Sequence, residues 1–384
     1  RYRSTSVKLN LHGRDSSVGQ RVPSVLYWQS RFFSLTQPLW KRLADIESAV
    51  LADEIDNRPI KAPVYVCGLP RSGTTIITEM LNAHEQLTCH RYSDFPNVYT
   101  PYWRNWLLQR SHFTTMAAVE RAHKDGLWVT QDSPEAVEEV LWRYFFPEIH
   151  NPELDQRLDL RTNNPAFERF YREHIAKLLL IRDAQRYLAK GNYNVHRIGY
   201  IQKLFSDARF LVPIRHPVNH ILSLHKQHNL FLQSQQQDPR TARQLAMTGH
   251  YEFGPQRRCP HLGDNSISEE ISAYWSQGSE LQGWALLWRQ VYAQVKRYME
   301  DPQLKQQIMW LRYEDLCLHP KSTIAAILKH CDLPSESFAA DRDHYQTILK
   351  APDYYSFELD DSIADEIWDT VAPIAEWFGY TGPE

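Results

Sequence analysis

The sequence has few of the features that mark metal-binding, disulfide-rich or membrane-spanning proteins. Its 384 residues include only five cysteines, which are far apart and form no Cys-x-x-Cys pair, so neither a zinc site nor a disulfide framework is indicated. The longest apolar run, around Leu178–Ile181, is much shorter than the roughly 20 residues of a membrane span. The formal net charge is −3, so no overall positive field attracts nucleic acid or anionic polymers. Any anion-binding site must be local.

These absences also bear on where the protein is found. Without a membrane span, and without an apolar stretch after the basic N-terminus, we expect a soluble, cytoplasmic protein. The alternative is the lumenal catalytic domain of a longer anchored protein, because the sequence begins at Arg1 and not with methionine.

The chain is rich in apolar and aromatic residues, at 42% and 12%, which is enough for a large core. Residues 22–56 carry apolar residues at mostly helical spacing, so we predict an N-terminal helical extension, 1–60, packed on a main domain, 61–384. Residues 230–265 are polar and lack clear periodicity. We predict that they form an insertion or lid, or else a surface loop without function.

Short apolar segments separated by helical patterns predict an α/β fold. The expected strands are Ala62–Cys67, Tyr187–Ala189, Arg209–Ile214 and Gln307–Arg312. Alternating strands and helices favour three layers, with a mostly parallel central sheet and helices on both faces. One alternative remains open, in which Tyr187–Ala189 continues the helix predicted from Phe167 to Arg186.

The segment Gly68–Thr75 follows the first strand and has the glycine spacing of a P-loop, in which backbone N–H groups and a helix N-terminus surround a phosphate. A nucleotide triphosphatase places lysine directly after the second glycine, where this chain has Thr74. The positive charge is instead at Arg71, and Ser72 and Thr75 add hydroxyl groups. ATP hydrolysis is therefore disfavoured, and a different terminal anion is expected.

A second candidate anion site follows the strand that ends at Ile214. Arg215 leaves the strand end, Pro217 opens a helix, and Ser223 lies about two helical turns along it. Arginine recognises phosphate with two parallel hydrogen bonds. An arginine beside a proline at a strand end is usually structural, but the preceding loop favours a phosphate site.

Together these segments resemble the sulfotransferases that use 3′-phosphoadenosine-5′-phosphosulfate, PAPS, and especially the branch that includes tyrosylprotein and many bacterial sulfotransferases. Members of that branch show Pro-Arg-Ser-Gly-Thr-Thr after the first strand, as Pro70–Thr75 does here. The resemblance implies a P-loop-like fold, sulfuryl transfer without a required metal, and adenosine 3′,5′-bisphosphate as product. The residues that it assigns to PAPS binding are Arg71, Ser72, Gly73, Thr74, Thr75, Arg215, Ser223 and Tyr313.

Two weaker matches extend the resemblance. Lys190 is similar to the lysine that steadies the transferring group in tyrosylprotein sulfotransferases, or is simply a solvated lysine before a Gly-Asn turn. Tyr313 stands in a Tyr-Glu-Asp-Leu segment like that of the family. Because Gly68, Lys190, Arg215 and Tyr313 each follow a predicted strand, and ligands bind beyond the carboxyl ends of parallel strands, we expect one crevice to contain all four.

The resemblance does not extend to the general base. Tyr92 occupies the position of the family's glutamate, so Asp94, two residues later, is the predicted base. His90 is the alternative, because imidazole titrates near neutral pH. Asp132 and Glu135 are interpreted as acidic residues near a helix start.

The acceptor is expected to be a hydroxyl, or an amine, of a small molecule, lipid or carbohydrate. The aromatic stretches Tyr99–Trp106 and Leu141–Phe146 either line its pocket or belong to the core. Arg257 and Arg258 either meet an acidic acceptor or face water. Two other functions stay open, a P-loop kinase for small molecules and a catalytically silent nucleotide-binding protein.

Overall fold

A parallel five-stranded sheet organises the part of the chain that the computed structural model describes, residues 21–110, 119–120, 128–130, 132–349 and 361–382. The strands are β1 (Val64–Cys67), β2 (Leu87–Thr88), β3 (Val119–Glu120), β4 (Trp128–Val129), β5 (Arg186–Gly191), β6 (Arg209–Ile214) and β7 (Ile308–Arg312). The sheet order is β2-β5-β1-β6-β7, with every neighbouring pair parallel. β3 and β4 form a separate antiparallel pair.

Helices precede, separate and follow these strands. Those before β1 are α1 (Ser24–Leu35), α2 (Gln37–Val50) and α3 (Ala52–Asp56). Those between β1 and β6 are α4 (Thr74–Asn82), α5 (Pro101–Arg110), α6 (Glu139–Phe145), α7 (Pro165–Ile181) and α8 (Ile198–Leu204). Those after β6 are α9 (Pro217–Gln237), α10 (Arg240–Thr248), α11 (Asn265–Ser276), α12 (Glu280–Glu300), α13 (Pro302–Lys305), α14 (Tyr313–Leu318), α15 (Pro320–His330), α16 (Ala339–Ile348) and α17 (Asp361–Ala375). Among the described residues, no helix combines the length and the apolar character needed to cross a membrane.

The sheet is buried on both faces, because successive side chains of a strand point to opposite sides. In β1, Tyr65 and Cys67 join a core built with α7 and α12, whereas Val64 and Val66 join one built with α4 and α15. All four residues have no exposed surface. The predicted three-layer α/β fold is therefore confirmed.

The alternative of one long helix before Lys190 is ruled out. α7 ends at Ile181, and Asp183 has a φ of 48°, a left-handed conformation that a helix cannot continue. The chain then enters β5, which pairs with β1 on one side and β2 on the other.

The polar segment 230–265 is more regular than its sequence indicates, since it contains the end of α9 and all of α10. Its periodicity is hidden because α9 and α10 bury polar side chains there, among them Ser234 and Thr241. Tests of apolar spacing do not detect such a helix. The role of this segment as an insertion or lid stays a prediction.

The N-terminal helices α1 to α3 lie within the stretch predicted to be helical, and a buried ion pair ties α2 to α7. The Lys177 ammonium lies 2.9 Å from one Glu47 carboxylate oxygen, and neither side chain is exposed. The second oxygen of Glu47 accepts the Trp103 backbone N–H at 2.6 Å, and Lys177 also donates to the Ala44 carbonyl. The division into an extension, 1–60, and a main domain stays a prediction, and residues 1–20 lie outside the described part.

The aromatic stretches belong mainly to the core. Tyr99 is 1% exposed, and Trp142 is fully buried between Phe146, Phe167 and Tyr171. Such packing favours the core interpretation over an acceptor pocket.

All five cysteines are buried, and none forms a disulfide. Burial raises the pKa of each thiol, which keeps it protonated and weakly nucleophilic.

We expect Lys177→Met to lower the free energy of unfolding by about 3–5 kcal/mol, because it leaves the Glu47 carboxylate buried without its cation. Urea unfolding measures the change. Lys41→Met is the matched control, since Lys41 pairs with the half-exposed Asp45 one turn along α2 and should change stability by less than about 1 kcal/mol. Similar losses in the two variants would contradict the role given to the buried pair.

Candidate active site

The loop between β1 and α4 has the backbone shape of an anion cradle. Gly68, Arg71 and Gly73 all have positive φ angles, of 146°, 72° and 101°, which turn the chain sharply into the helix. The Ser72 hydroxyl donates to the Leu69 carbonyl at 2.8 Å and closes the turn from inside. The first N–H groups of α4 have no partner within the helix and carry its positive dipole end, so they favour an anion.

Tyr313, at the start of α14, fixes the second glycine of the loop. A Cβ atom at position 73 would lie 2.5 Å from Cδ2 of the Tyr313 ring. Only glycine fits there without a shift, and this contact brings the end of β7 against the loop.

The two predicted anion motifs touch each other. Nε of Arg71 donates to Oγ of Ser223 at 3.2 Å, although 152 residues separate them. Ser223 lies on α9 and is 2% exposed, and Arg215 before the same helix is 4% exposed. A buried arginine and a helix N-terminus side by side form a site for a compact, multiply charged anion.

Lys190 approaches the loop from β5, on the other side of β1. Its Nζ donates to Oγ1 of Thr75 at 3.1 Å. In the sheet, Lys190 pairs with Val66, near the point where β1 enters the loop. The predicted crevice residues from four strand ends are thus brought together.

Side-chain contacts of Glu314 and His220 also hold this arrangement, and neither residue was assigned to the site from the sequence. The carboxylate of Glu314 accepts the His216 N–H at 2.8 Å and the Tyr380 hydroxyl at 2.9 Å. The Nε2 of His220 lies 2.8 Å from the Pro70 carbonyl oxygen and donates to it, and burial lowers the pKa of His220 to about 3. His220 therefore stays neutral and supports the loop. Histidine and tyrosine spacing in the sequence carries no signal for such contacts.

Asp94 sits in a buried network that uses both of its carboxylate oxygens. Each oxygen lies 2.7 Å from Nη2 of Arg182, and the carboxylate also accepts from Asn105 and from the Arg91 N–H. Burial alone would raise the pKa of Asp94, but Arg182, His90 and the Arg91 N–H together hold it well below its usual range. Asp94 is thus a poor proton acceptor, and these contacts favour a structural role over the predicted role as base.

His90 is engaged on both ring nitrogens. Nδ1 lies 3.0 Å from Asp94, and Nε2 lies 2.9 Å from Nε2 of the buried His174. Burial lowers the pKa of His174 well below its usual value. Accepting a proton from a substrate would require His90 to give up a buried hydrogen bond.

A small cavity beside Lys190 is lined by two further carboxylates, those of Glu135 and Glu138. Its lining includes Thr78 of α4, His90, Glu135, Glu138 and Lys190. Glu138 accepts the hydroxyls of Tyr171 and Tyr187, at 2.8 and 2.5 Å, and burial raises its pKa.

Glu135 is fastened to the end of β2 by main-chain bonds. Its N–H donates to the His90 carbonyl at 2.9 Å, the Tyr92 N–H donates to the Ser133 carbonyl at 3.1 Å, and Arg91 and Pro134 form an antiparallel bridge. Residues 133–135 therefore run beside residues 90–92. Glu135 does not begin a helix, since α6 starts four residues later.

The remaining candidates have other partners. Asp132 is 72% exposed and pairs with Arg91. Arg257 pairs with Glu280 and lies 3.7 Å from the centre of the Trp275 ring, and Arg258 donates to the His150 carbonyl.

A parallel sheet whose carboxyl edge carries an anion cradle and converging cations is typical of enzymes that transfer a group from an anionic donor. Residues 63–258, slightly more than half of the chain, match the sulfotransferase family. The chain belongs to this family, which indicates sulfuryl transfer as its class of reaction.

Solved structures provide a second comparison. A sulfotransferase from Mycobacterium avium is 14% identical, has a TM-score of 0.52, and matches over 87% of this chain and 82% of that one. A sulfotransferase from Mycobacterium tuberculosis H37Rv is 13% identical, with a TM-score of 0.46 over 86% and 81% of the two chains. The sulfotransferase domain of the Synechococcus PCC 7002 olefin synthase is 16% identical, with a TM-score of 0.39 over 85% and 97%. The Mycobacterium avium structure supports the fold. A comparison with curated protein sequences found no match.

We expect Gly73→Ala to lower the free energy of unfolding by about 2–3 kcal/mol, because its left-handed backbone resists a Cβ atom and the Tyr313 ring must move. Gly278→Ala is the control, since Gly278 also has a positive φ, 83°, but a Cβ there meets nothing within 4 Å. Gly278→Ala should lower the free energy of unfolding by only about 1 kcal/mol. If urea unfolding gives the same loss of stability for both variants, the Tyr313 contact does not account for the effect at Gly73.

Proposed function

We propose that the protein transfers the sulfuryl group of PAPS to the hydroxyl of an acceptor. The observation that carries the proposal is the Arg71–Ser223 hydrogen bond, because it joins the loop expected to bind the 5′-phosphosulfate to the helix expected to bind the 3′-phosphate. PAPS carries two separate anionic groups, the 5′-phosphosulfate and the 3′-phosphate, and the site has two adjoining anion-binding motifs. ATP lacks the 3′-phosphate and would leave the second motif unused.

The residues fit this donor. The α4 N-terminus and the hydroxyls of Thr74 and Thr75 would hold the 5′ end, and Arg215 with Ser223 would hold the 3′-phosphate. The ring of Tyr313 lies directly against Gly73 of the cradle. Tyr313 would thereby contact the nucleotide beside the loop.

Sulfuryl transfer needs little covalent participation from the protein. The acceptor oxygen forms a bond to sulfur while the bond from sulfur to the bridging phosphate oxygen breaks, and adenosine 3′,5′-bisphosphate leaves. Arg71 and Lys190 would stabilise the negative charge that develops on the bridging and sulfuryl oxygens. The Thr75 hydroxyl positions Lys190 for this role.

We assign the general base to Glu135, in place of Asp94 or His90. Antiparallel pairing puts Glu135 opposite His90, and the side chains of directly paired residues lie on the same face. Residues 90 and 92 share that face as well, because side chains alternate along an extended chain. Glu135 thus brings a carboxylate to the neighbourhood in which the family's glutamate is replaced by Tyr92, in the cavity that also contains Lys190.

The donor assignment predicts that adenosine 3′,5′-bisphosphate binds at least about tenfold more tightly than magnesium-ATP, measured by calorimetry. Arg215→Gln should weaken bisphosphate binding roughly 10- to 100-fold, because a charge-assisted hydrogen bond is lost. Arg209→Gln is the control on the same strand, where the arginine pairs with the exposed Asp332. Equal affinities for the two nucleotides would favour a small-molecule kinase instead.

The base assignment predicts that Glu135→Gln lowers kcat about 10²- to 10⁴-fold while bisphosphate affinity is retained. Turnover is followed as bisphosphate release from PAPS with a panel of phenols, sugars and lipid alcohols. Asp132→Asn, an exposed acid in the same segment, should leave kcat unchanged. If PAPS binds but the wild type transfers to no acceptor in the panel, the catalytically silent alternative is favoured.

Asp94→Asn separates the two candidate bases. It should lower stability by about 3 kcal/mol, because Arg182 loses its buried partner, while the folded fraction keeps its turnover. Since the folded-state pKa of Asp94 is lowered, its contribution is present above the ordinary aspartate pKa of about 4 and is lost as the pH falls below it. Loss of turnover in fully folded Asp94→Asn would return the base to Asp94.

A further inference from the structure

α1 exposes an apolar stripe on the side turned away from the other described residues. Val25, Trp28, Phe32 and Leu35 are 70%, 60%, 53% and 72% exposed. Their spacing of three and four residues places them on one face of the helix. A helix that only packed on its own domain would bury such a face.

α2 repeats the pattern. Leu39, Ile46 and Val50, separated by seven and four residues, are 52%, 52% and 63% exposed. Seven of the thirteen large apolar side chains that are exposed among the described residues therefore lie in these two helices. Concentrated exposure of this kind marks an interaction surface, whereas single exposed apolar residues are ordinary.

Polar side chains provide several of the contacts that hold α1 on the protein. Arg240 donates to Oγ of Ser24 and lies 5.6 Å from the Tyr27 ring centre, and Gln244 donates to Oγ of Ser30. Tyr27 and Ser30 are the buried residues of the helix. The apolar stripe is therefore not needed to dock α1 onto α10.

The charge around the stripe of α1 and the first half of α2 is positive, and the acidic residues of these two helices begin only at Asp45. From Arg21 to Ala44 the sequence contains four basic residues and no acidic one, in a chain whose net charge is −3. Arg21, Arg31 and Arg42 are exposed, whereas Lys41 pairs with Asp45. A stripe of Trp, Phe and Leu flanked by arginine fits an interface between water and an anionic surface.

We propose that α1 and α2 bind the surface of an anionic lipid bilayer, with the apolar stripe at the level of the headgroups and the arginines on anionic lipids. A second copy of the chain is a poorer partner. An isologous contact through this face would bring two arginine-flanked stripes together and set like charges against each other. The surface would place the enzyme on a membrane through helices that lie along the bilayer.

The test is co-sedimentation of the full chain with vesicles. The wild type should bind vesicles of phosphatidylcholine with roughly one-quarter phosphatidylserine and bind pure phosphatidylcholine at least about tenfold less. Trp28→Glu/Phe32→Glu should lose binding at least about tenfold, whereas Leu154→Glu/Leu160→Glu should keep it. Leu154 and Leu160 are matched controls because they are 48% and 49% exposed outside these helices.

A second variant separates charge from apolar contact. Arg21→Gln/Arg31→Gln keeps the apolar stripe and should weaken binding to anionic vesicles about 30-fold. At high salt the affinities of this variant and of the wild type should become similar, because salt screens the charges. An unchanged circular-dichroism spectrum shows that each variant is folded, and vesicle binding is measured without nucleotide, so the result is independent of the proposed reaction. The proposal is overturned if the wild type does not bind anionic vesicles, or if both Glu variants bind them alike. It is also overturned if the wild type is a dimer in light scattering that Trp28→Glu/Phe32→Glu dissociates.

Discussion

The site depends on the register in which β1 pairs with β5 and β6. Val66 of β1 pairs with Lys190 of β5 on one side and with Leu211 of β6 on the other. The loop after β1 therefore emerges between Lys190 and Arg215, which follows β6. The contacts of Lys190 with Thr75 and of Arg71 with Ser223 follow from this register. A slip of two residues would move a strand by about 6–7 Å and break both contacts while keeping the same side chains buried. Sheet burial alone therefore does not determine the site, and the hydrogen bonds across the loop complete it.

The parts of the site that could be predicted from the sequence are those governed by local rules. Each of these patterns lies within about ten residues: the glycine spacing, the helix that starts after a buried strand, and the arginine at a strand end. Parallel strands then bring the carboxyl ends of the strands to one edge of the sheet. Glu135 is different, because its position depends on a bridge between segments some 43 residues apart that have no strand pattern. The surroundings of Asp94 could not be predicted from the sequence for the same reason, since Arg182 lies 88 residues away. Charge neutralisation of this kind is visible only after folding.

The buried acids near the site have partners of their own. Arg182 holds Asp94, Arg197 and His150 hold Glu139, and tyrosine hydroxyls hold Glu138. A buried carboxylate without such a partner would either take up a proton or draw a nearby cation towards itself. Arginine balances the charge of Asp94 and of Glu139, whereas the raised pKa of Glu138 favours uptake of a proton.

The buried thiols have a practical consequence. Maleimide and similar reagents modify the thiolate, and none of the five native sulfur atoms is both accessible and acidic. A single cysteine introduced at an exposed position would be labelled without first removing the native ones. Fluorescent or spin probes on α1 or on the segment before α6 could then report local environment and distance in an otherwise unaltered chain.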